Sequence, residues 1–222
     1  MNTSKKRLVM DIKSFIELSY DDKFIYFDKS NFMKIYLMII GPKGSPYEDG
    51  FLFFELIFND KYPFDPPKVT FLNMNQNVRI HPNLYSNGKV CLSILGTWQG
   101  PKWLPTMSLN TIALTIQSIL GDNPLNNEPA YYKKTLSSSY CKDYLIFCLY
   151  NKYVILLNDV IEDKYEVCKY FKKEINEIYK KNKNNLNNNL LSYKNIYGKY
   201  ILKKKAYYNM KNEVNFNNLF IK

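Results

Sequence analysis

Apolar residues recur at helical spacing near the start of the chain. Leu8, Ile12, Phe15 and Ile16 follow the basic Lys5, Lys6 and Arg7, and together they predict a short amphipathic helix over Lys5–Leu18. The pattern then changes to runs of aromatic and β-branched residues at Lys23–Phe27, Lys34–Ile40 and Phe51–Phe58. The last two are separated by the turn-forming Gly41-Pro42-Lys43-Gly44-Ser45-Pro46 and Asp49-Gly50. An antiparallel meander fits these intervals, with Val69–Leu72 as its fourth strand. Pro63, Pro66 and Pro67 exclude an interior strand or helix between Tyr62 and Pro67, so that stretch is expected to be a rigid extended connector. Asn73 to Gly100 carries no long period. A loop of that length, rich in specific residues rather than low in complexity, is expected to be ordered and functional.

Helical periodicity returns at Ser108, a predicted cap for a helix presenting Leu109, Ile112, Ala113, Ile116, Ile119 and Leu120 and stopping at Gly121. Asp143–Ile161 is apolar almost all round and is predicted to be a buried helix. Glu166–Lys181 is amphipathic through Val167, Tyr170, Phe171, Ile175, Ile178 and Tyr179. Residues 182–189 hold six Asn in eight positions and read as a linker or disordered loop. Tyr193, Ile196, Tyr197, Tyr200, Ile201, Tyr207 and Tyr208 then predict one more helix. Helix, meander, long loop and further helices together define an α+β fold.

Charge changes the picture only locally. The 222 residues carry a net +11, but residues 1–130 carry +1 and residues 131–222 carry +10. Nucleic-acid binding through the basic tail is an alternative reading, because its aromatics and lysines interleave as in stacking platforms. The helical spacing of those tyrosines explains them by packing instead, so nucleic acid is not expected as a partner. The four cysteines (Cys91, Cys141, Cys148, Cys168) include no Cys-x-x-Cys pair, and with His81 as the sole histidine no metal site is expected. Met1–Met10 lacks the apolar core of a secretory signal. Tyr144–Leu157, interrupted by Asn151 and Lys152, falls short of the ~20 residues that span a bilayer. A cytoplasmic location, or a nuclear one as well, with reduced thiols and no membrane partner, is the expectation. Core packing is the expectation for Trp98, Trp103, Phe51–Phe58, Cys141, Cys148 and Cys168.

Cys91 stands apart from the other cysteines, in the long loop just after the Asn87-Gly88 turn. A loop thiol can act as a nucleophile through its thiolate, although most cysteines are buried small hydrophobes. His81 lies ten residues away, a spacing that does not by itself make a catalytic dyad. The surrounding residues carry more information. His81-Pro82-Asn83, then Cys91 eight residues beyond Asn83, then Trp103-Leu104-Pro105, all follow Gly41-Pro42, Pro46-Tyr47, Gly50 and Tyr62-Pro63-Phe64-x-Pro66-Pro67. In this order the motifs resemble the catalytic core of the ubiquitin-conjugating enzymes over about residues 5–165. The string from Asn87 to Trp98, and Asn126-Asn127-Glu128-Pro129, are most similar to the large conjugating enzymes of the Z type.

The resemblance implies a UBC fold, with a catalytic core over 1–165 and a C-terminal helical extension over 166–222. It implies that Cys91 accepts ubiquitin or a ubiquitin-like protein from an activating enzyme as a glycyl thioester, then passes it to a substrate lysine or to a ligase. Asn83 would stabilise the oxyanion or order the adjacent loop, and His81 and Pro82 would be structural. No bound cofactor is implied, since ATP is consumed by the upstream activating enzyme. Lys5, Lys6 and Arg7 resemble the region that meets the activating enzyme, while Phe64 and Pro105 sit where ligases dock. Family members with an acid beyond the Asn-Pro turn use it to prepare the incoming lysine. Here Leu125, Asn126 and Asn127 occupy that segment, with Asp122 and Glu128 only flanking it. Slow discharge to free lysine is therefore expected. A catalytically weak binding partner of the same fold is the other reading, against which the presence of both Cys91 and Asn83 argues.

Overall fold

Leu8, Ile12 and Phe15 lie about one turn apart and are buried, so the first helix, α1 (Thr3–Glu17), presents one apolar stripe to the protein interior. The computed structural model describes residues 3–74, 78–129, 131, 138–202 and 213–222. After α1 come β1 (Lys23–Asp28), β2 (Asn31–Ile40), β3 (Phe51–Ile57) and β4 (Lys68–Phe71), which form one antiparallel sheet in sequence order. Its register pairs Tyr26 with Tyr36, Tyr36 with Glu55 and Glu55 with Thr70. The meander predicted from periodicity is present, with ends shifted by a few residues at most.

Phe51, Leu52, Phe53 and Phe54 are all fully buried. Alternation along a strand would expose every second side chain, so a continuous buried run means that both faces are covered. One face packs against α2 (Leu109–Ile119), where Ser108 stands at the N-cap and its N–H meets the Thr111 hydroxyl at 3.1 Å. The other face is sealed by a later part of the chain. Tyr170 stacks on Tyr26 (4.2 Å between centroids) and Tyr36 (4.9 Å), and Phe171 lies on Phe53 at 5.9 Å.

The apolar helix is longer than its sequence core: α3 runs over Ser139–Ile161, with π-helical geometry at Lys152–Asn158. Its 23 residues are long and apolar enough to cross a bilayer by length and composition, but 67% of the apolar window is buried inside the fold. The polar groups it carries inward have partners within the protein. Asp143 accepts from the Tyr200 hydroxyl at 2.9 Å, and the Lys152 ammonium lies 4.7 Å from the centre of the Tyr153 ring. Burial pushes Lys152 down to about 8, opposed by the negative charges of Asp49 and Glu48.

The C-terminal part departs from expectation in three places. Glu166–Tyr170 is a short 3-10 turn, and the α-helix begins only at Lys172. That helix, α4 (Lys172–Tyr197), runs straight through residues 182–189, so the asparagine-rich stretch is neither a linker nor a loop. Its buried Leu186 and Leu190 hold one face down, and Asn182 donates to Asp49 at 2.8 Å. Tertiary packing here outweighs the weak helix propensity of Asn. Finally, Gly198 ends α4 at φ +50°, and Lys199–Ile201 (β5) pairs with Glu213–Asn215 (β6) as a two-stranded ribbon. Tyr200 and Ile201 are thus in a strand and not in a further helix, while Tyr207 and Tyr208 lie outside the described residues. Leu186, Val214, Phe216 and Leu219 join the same buried cluster as the sheet and α2.

Candidate active site

The segment around Cys91 has little regular structure of its own and is held by hydrogen bonds from side chains to its backbone together with a few between backbone groups. The approach to it is pinned first. Tyr47 and Cys148 both donate to the Ile80 carbonyl, at 2.9 and 3.1 Å, and Tyr144 donates to the Arg79 carbonyl at 2.9 Å. Tyr47 can take that place because Gly41 lies beneath it: a Cβ at residue 41 would sit 1.8 Å from the Tyr47 carbonyl oxygen. Cys141, Cys148 and Cys168 are buried, as expected for packing residues.

His81 is fully buried and both ring nitrogens are engaged. Nδ1 accepts from the Asn83 N–H at 2.9 Å, which places the proton on Nε2, and Nε2 meets the Ile119 carbonyl at 2.9 Å. Burial drives its pKa down to about 3, so the ring is neutral at physiological pH. The neighbouring turn reaches the same place: Asn127 donates to the Ile119 carbonyl at 3.2 Å and lies 3.5 Å from His81 Nε2.

Asn83 and Cys91 are tied in both directions. The Cys91 N–H donates to the Asn83 carbonyl at 2.9 Å, and the Asn83 side-chain amide donates to the Cys91 carbonyl at 2.6 Å. Asn83 Oδ1 is buried with no hydrogen-bond partner. The turn at Asn87-Gly88 docks this loop on the sheet, since Gly88, at φ +87°, accepts from the Phe71 N–H at 2.8 Å. On the far side, the Thr97 hydroxyl accepts from the Leu92 N–H (2.9 Å) and donates to the Val90 carbonyl (2.7 Å), bracketing Cys91. Thr97 was invisible as a site residue in the sequence; a hydroxyl six positions past the thiol has no characteristic spacing.

A second group was also missed. Tyr85, half-buried, lies beneath the Arg79 guanidinium, 3.5 Å from the centre of its ring, and burial, followed by interaction with Cys91, pushes its phenol above the ordinary range. Arg79 also donates to the Pro82 carbonyl.

The other candidates scatter around this centre. Asp122 accepts from the Asn123 N–H (2.7 Å) and Asn126 from the Asn123 amide (3.0 Å), so both stabilise the turn over Pro124–Asn127. Asn126 is exposed and Glu128 half-buried. Lys5 and Lys6 are exposed, but Arg7 is not available in the same way. Its guanidinium bonds to Asp11 (2.9 Å) and to the Pro105 and Met107 carbonyls (2.8 Å each), strapping α1 to the segment before α2. Phe64 is 73% exposed and Pro105 is exposed with it. Trp103 packs as expected, donating to the Pro63 carbonyl at 2.6 Å. Trp98 does not: it is 46% exposed, because it projects from the Gly96–Gly100 turn, beyond the reach of the core. Among the described residues no three His, Cys, Asp or Glu side chains converge as metal ligands would.

A meander flanked by helices, followed by a side-chain-clamped loop that holds one buried thiol, Cys91, beside a structural His-Pro-Asn turn, defines a class. Residues 7–152 match the family model described as ubiquitin-conjugating enzyme, and the chain belongs to that family. It is 43% identical over 126 residues to ubiquitin-conjugating enzyme E2 Z of Xenopus tropicalis, a match covering 56% of this chain and 40% of that protein. The human E2 Z protein is 42% identical over 126 residues, covering 56% of this chain and 36% of that protein. The matched stretch is thus less than half the length of either relative. Among solved structures, the E2 domain of a Toxoplasma gondii ubiquitin conjugating enzyme superposes with a TM-score of 0.51 at 26% identity, covering 65% of this chain and 93% of that one.

Proposed function

We propose that this chain accepts ubiquitin or a ubiquitin-like protein from an activating enzyme as a thioester on Cys91, and hands it to a substrate lysine or to a ligase. The observation that carries this reading is the commitment of His81. Both of its nitrogens are bonded elsewhere and it is neutral, so Cys91 lacks the imidazole base of a hydrolytic cysteine dyad. A thiol without a base needs an acyl donor that is already activated, and a thioester is such a donor. In the first step the Cys91 sulfur bonds to the modifier's terminal carbonyl, the activating enzyme's carbon–sulfur bond breaks, and the Cys91 proton goes to the departing thiolate. In the second, a lysine nitrogen attacks the carbonyl, the Cys91 bond breaks, and the amine's proton restores the thiol.

Asn83, whose amide holds the Cys91 carbonyl, acts here to order the loop. Exposed Lys5 and Lys6 would meet an acidic groove on the activating enzyme, and exposed Phe64, Leu104 and Pro105 would offer an apolar patch to a ligase. On the acceptor side, Asn126 supplies an amide where a carboxylate would deprotonate or orient the lysine, so discharge to free lysine is slow. ATP acts upstream, in the activating enzyme, and the protein works in the cytoplasm or nucleus with its thiols reduced.

The test is charging with purified activating enzymes, ATP and a panel of tagged modifiers, read on a non-reducing gel. The wild type should form a reductant-sensitive adduct, Cys91→Ser a reductant-resistant one, and Cys91→Ala none. An adduct that persists in Cys91→Ala, or no adduct with any modifier, overturns the reading. Rapid ligase-free discharge to lysine would contradict the assignment of the acceptor side.

A further inference from the structure

Asp49 holds left-handed backbone, at φ +63°, although it is not glycine. Such a residue persists where its surroundings fix it, and here it is fixed from two sides. The turn closes on itself through its backbone: Gly41 N–H donates to the Gly50 carbonyl (2.8 Å), Asp49 N–H to the Gly41 carbonyl (3.2 Å) and Gly50 N–H to the Tyr47 carbonyl (2.8 Å). The Asp49 carboxylate is held from outside, by the side-chain amides of Asn182 (2.8 Å) and, more loosely, Asn185 (3.5 Å) on α4. Gly50 seats the turn on α3, where an added Cβ would lie 3.0 Å from that of Leu156. Lys152 of α3 is buried close by, its ammonium 5.9 Å from the centre of the Tyr193 ring of α4, and the charge of Asp49 favours it.

The same closed turn carries Tyr47. That side chain is fully buried, its hydroxyl donates to the Ile80 carbonyl at 2.9 Å, and its ring centre lies 5.8 Å from that of His81. From His81 the bonds continue through Asn83 to Cys91. We propose that α4 positions the Cys91 loop through this turn: Asn182 holds the carboxylate of Asp49, and the turn passes that hold through Tyr47 to Ile80 and His81. Asn182, Asp49 and Tyr47 are thus positioning residues. The inference deepens the thioester reading and rests on it for its biological meaning, since the C-terminal part of the chain would then govern how Cys91 is presented to its partners. Its physical basis is that an irregular loop takes its order from what it is bonded to, and a turn closed by its own backbone yields little between its two ends. Cys148 and Tyr144 of α3 grip the same approach at Ile80 and Arg79, so α4 adds to a hold that α3 already provides.

The experiment reverses the pair. Asn182→Asp keeps the side-chain shape and sets a carboxylate against Asp49. Adding Asp49→Asn restores one donor and one acceptor with their places exchanged, and Asn tolerates left-handed backbone as Asp does. Hydrogen exchange of the intact protein is read at the amides of Asn83 and Cys91, whose N–H groups are bonded to His81 Nδ1 and the Asn83 carbonyl. A hydrogen bond to a charged group shifts a local equilibrium by about tenfold or more, so these amides should exchange about tenfold faster in Asn182→Asp and by a smaller factor in Asn182→Ala. In the double variant they should return to within about twofold of wild type. Unchanged exchange at Asn83 and Cys91, acceleration confined to the turn, equal acceleration throughout β2 and β3, or no recovery in the double variant overturns the proposal. Neither activating enzyme nor modifier is needed for this measurement. If exchange follows the expected pattern but no modifier charges Cys91, the link from α4 stands and the conjugating reading falls. If Cys91 is charged while its amide ignores residue 182, the link falls and the conjugating reading stands.

Discussion

Two asparagine-rich stretches of this chain look alike by composition and behave in opposite ways. Around the candidate active site, Asn73, Asn83 and Asn87 lie in irregular backbone and use their side chains to replace missing secondary structure. Asn73 binds both the N–H of Phe53 (2.7 Å) and the carbonyl of Phe51 (3.0 Å), and Asn83 binds the Cys91 carbonyl. In residues 182–189 the backbone is helical and supplies its own bonds. There, among the described residues, Asn182 and Asn185 bond to the carboxylate of Asp49, while Asn184, Asn187 and Asn188 are exposed. The lesson concerns mechanism: Asn disfavours helix because its side chain competes for backbone groups. Where buried leucines have already committed the backbone, that competition is lost.

Substitution by alanine should therefore separate the two regions. The largest effect is expected at Asn83→Ala, which frees the Cys91 carbonyl; thioester transfer should slow on the order of a hundredfold, measured by single-turnover discharge. Retention of wild-type transfer would mean that the loop needs no such tie. Next comes Leu186→Ala on the buried face of α4, 1% exposed, which should cost about 2–5 kcal/mol in urea unfolding. A cost near zero would return residues 182–189 to a surface linker.

A third measurement probes the loop's buried histidine. Its folded pKa of about 3 lies below the ordinary 6.5, so below pH 6.5 the unfolded chain takes up a proton that the folded protein refuses. Stability from this group is complete above pH 6.5 and is lost as pH falls towards 3, at up to about 1.4 kcal/mol per pH unit. Urea midpoints measured between pH 6.5 and 5, above the main carboxylate range, should show this slope in the wild type and lose most of it in His81→Gln. The smallest effect has the sharpest sign. Asn187→Ala and Asn188→Ala should each stabilise by about 0.5 kcal/mol, since alanine is the better helix former and neither side chain is buried. Destabilisation would show that these side chains carry bonds of their own.

Much of the first 120 residues was legible in the sequence for a physical reason. Strand alternation, the proline connector, the Ser108 cap and the spacing from His81-Pro82-Asn83 to Cys91 are all local, and local pattern is what a chain displays directly. The predicted strands and α2 accordingly agree with the structure to within a few residues. Trp98 was misjudged, and the strap made by Arg7 was not foreseen, because aromatic and basic residues look the same in a sequence whether they pack, dock or strap two segments together. Thr97, Arg79 and Tyr85 carried no signal because their partners are backbone groups and a ring face or guanidinium, none of which requires a fixed residue type at a fixed separation.

By itself, then, the sequence determined the α+β order of elements and the family, and it singled out Cys91 as the candidate thiol. Only the tertiary structure decided where the described residues beyond 165, namely 166–202 and 213–222, go. They close the outer face of the sheet with Tyr170 and Phe171 and lay a helix across Asp49. Those choices depend on contacts between residues more than a hundred positions apart, such as Asn182 with Asp49, whose energies no local pattern contains. The same is true of the loop around Cys91, where hydrogen bonds from distant side chains do the work that periodicity does in a helix or strand.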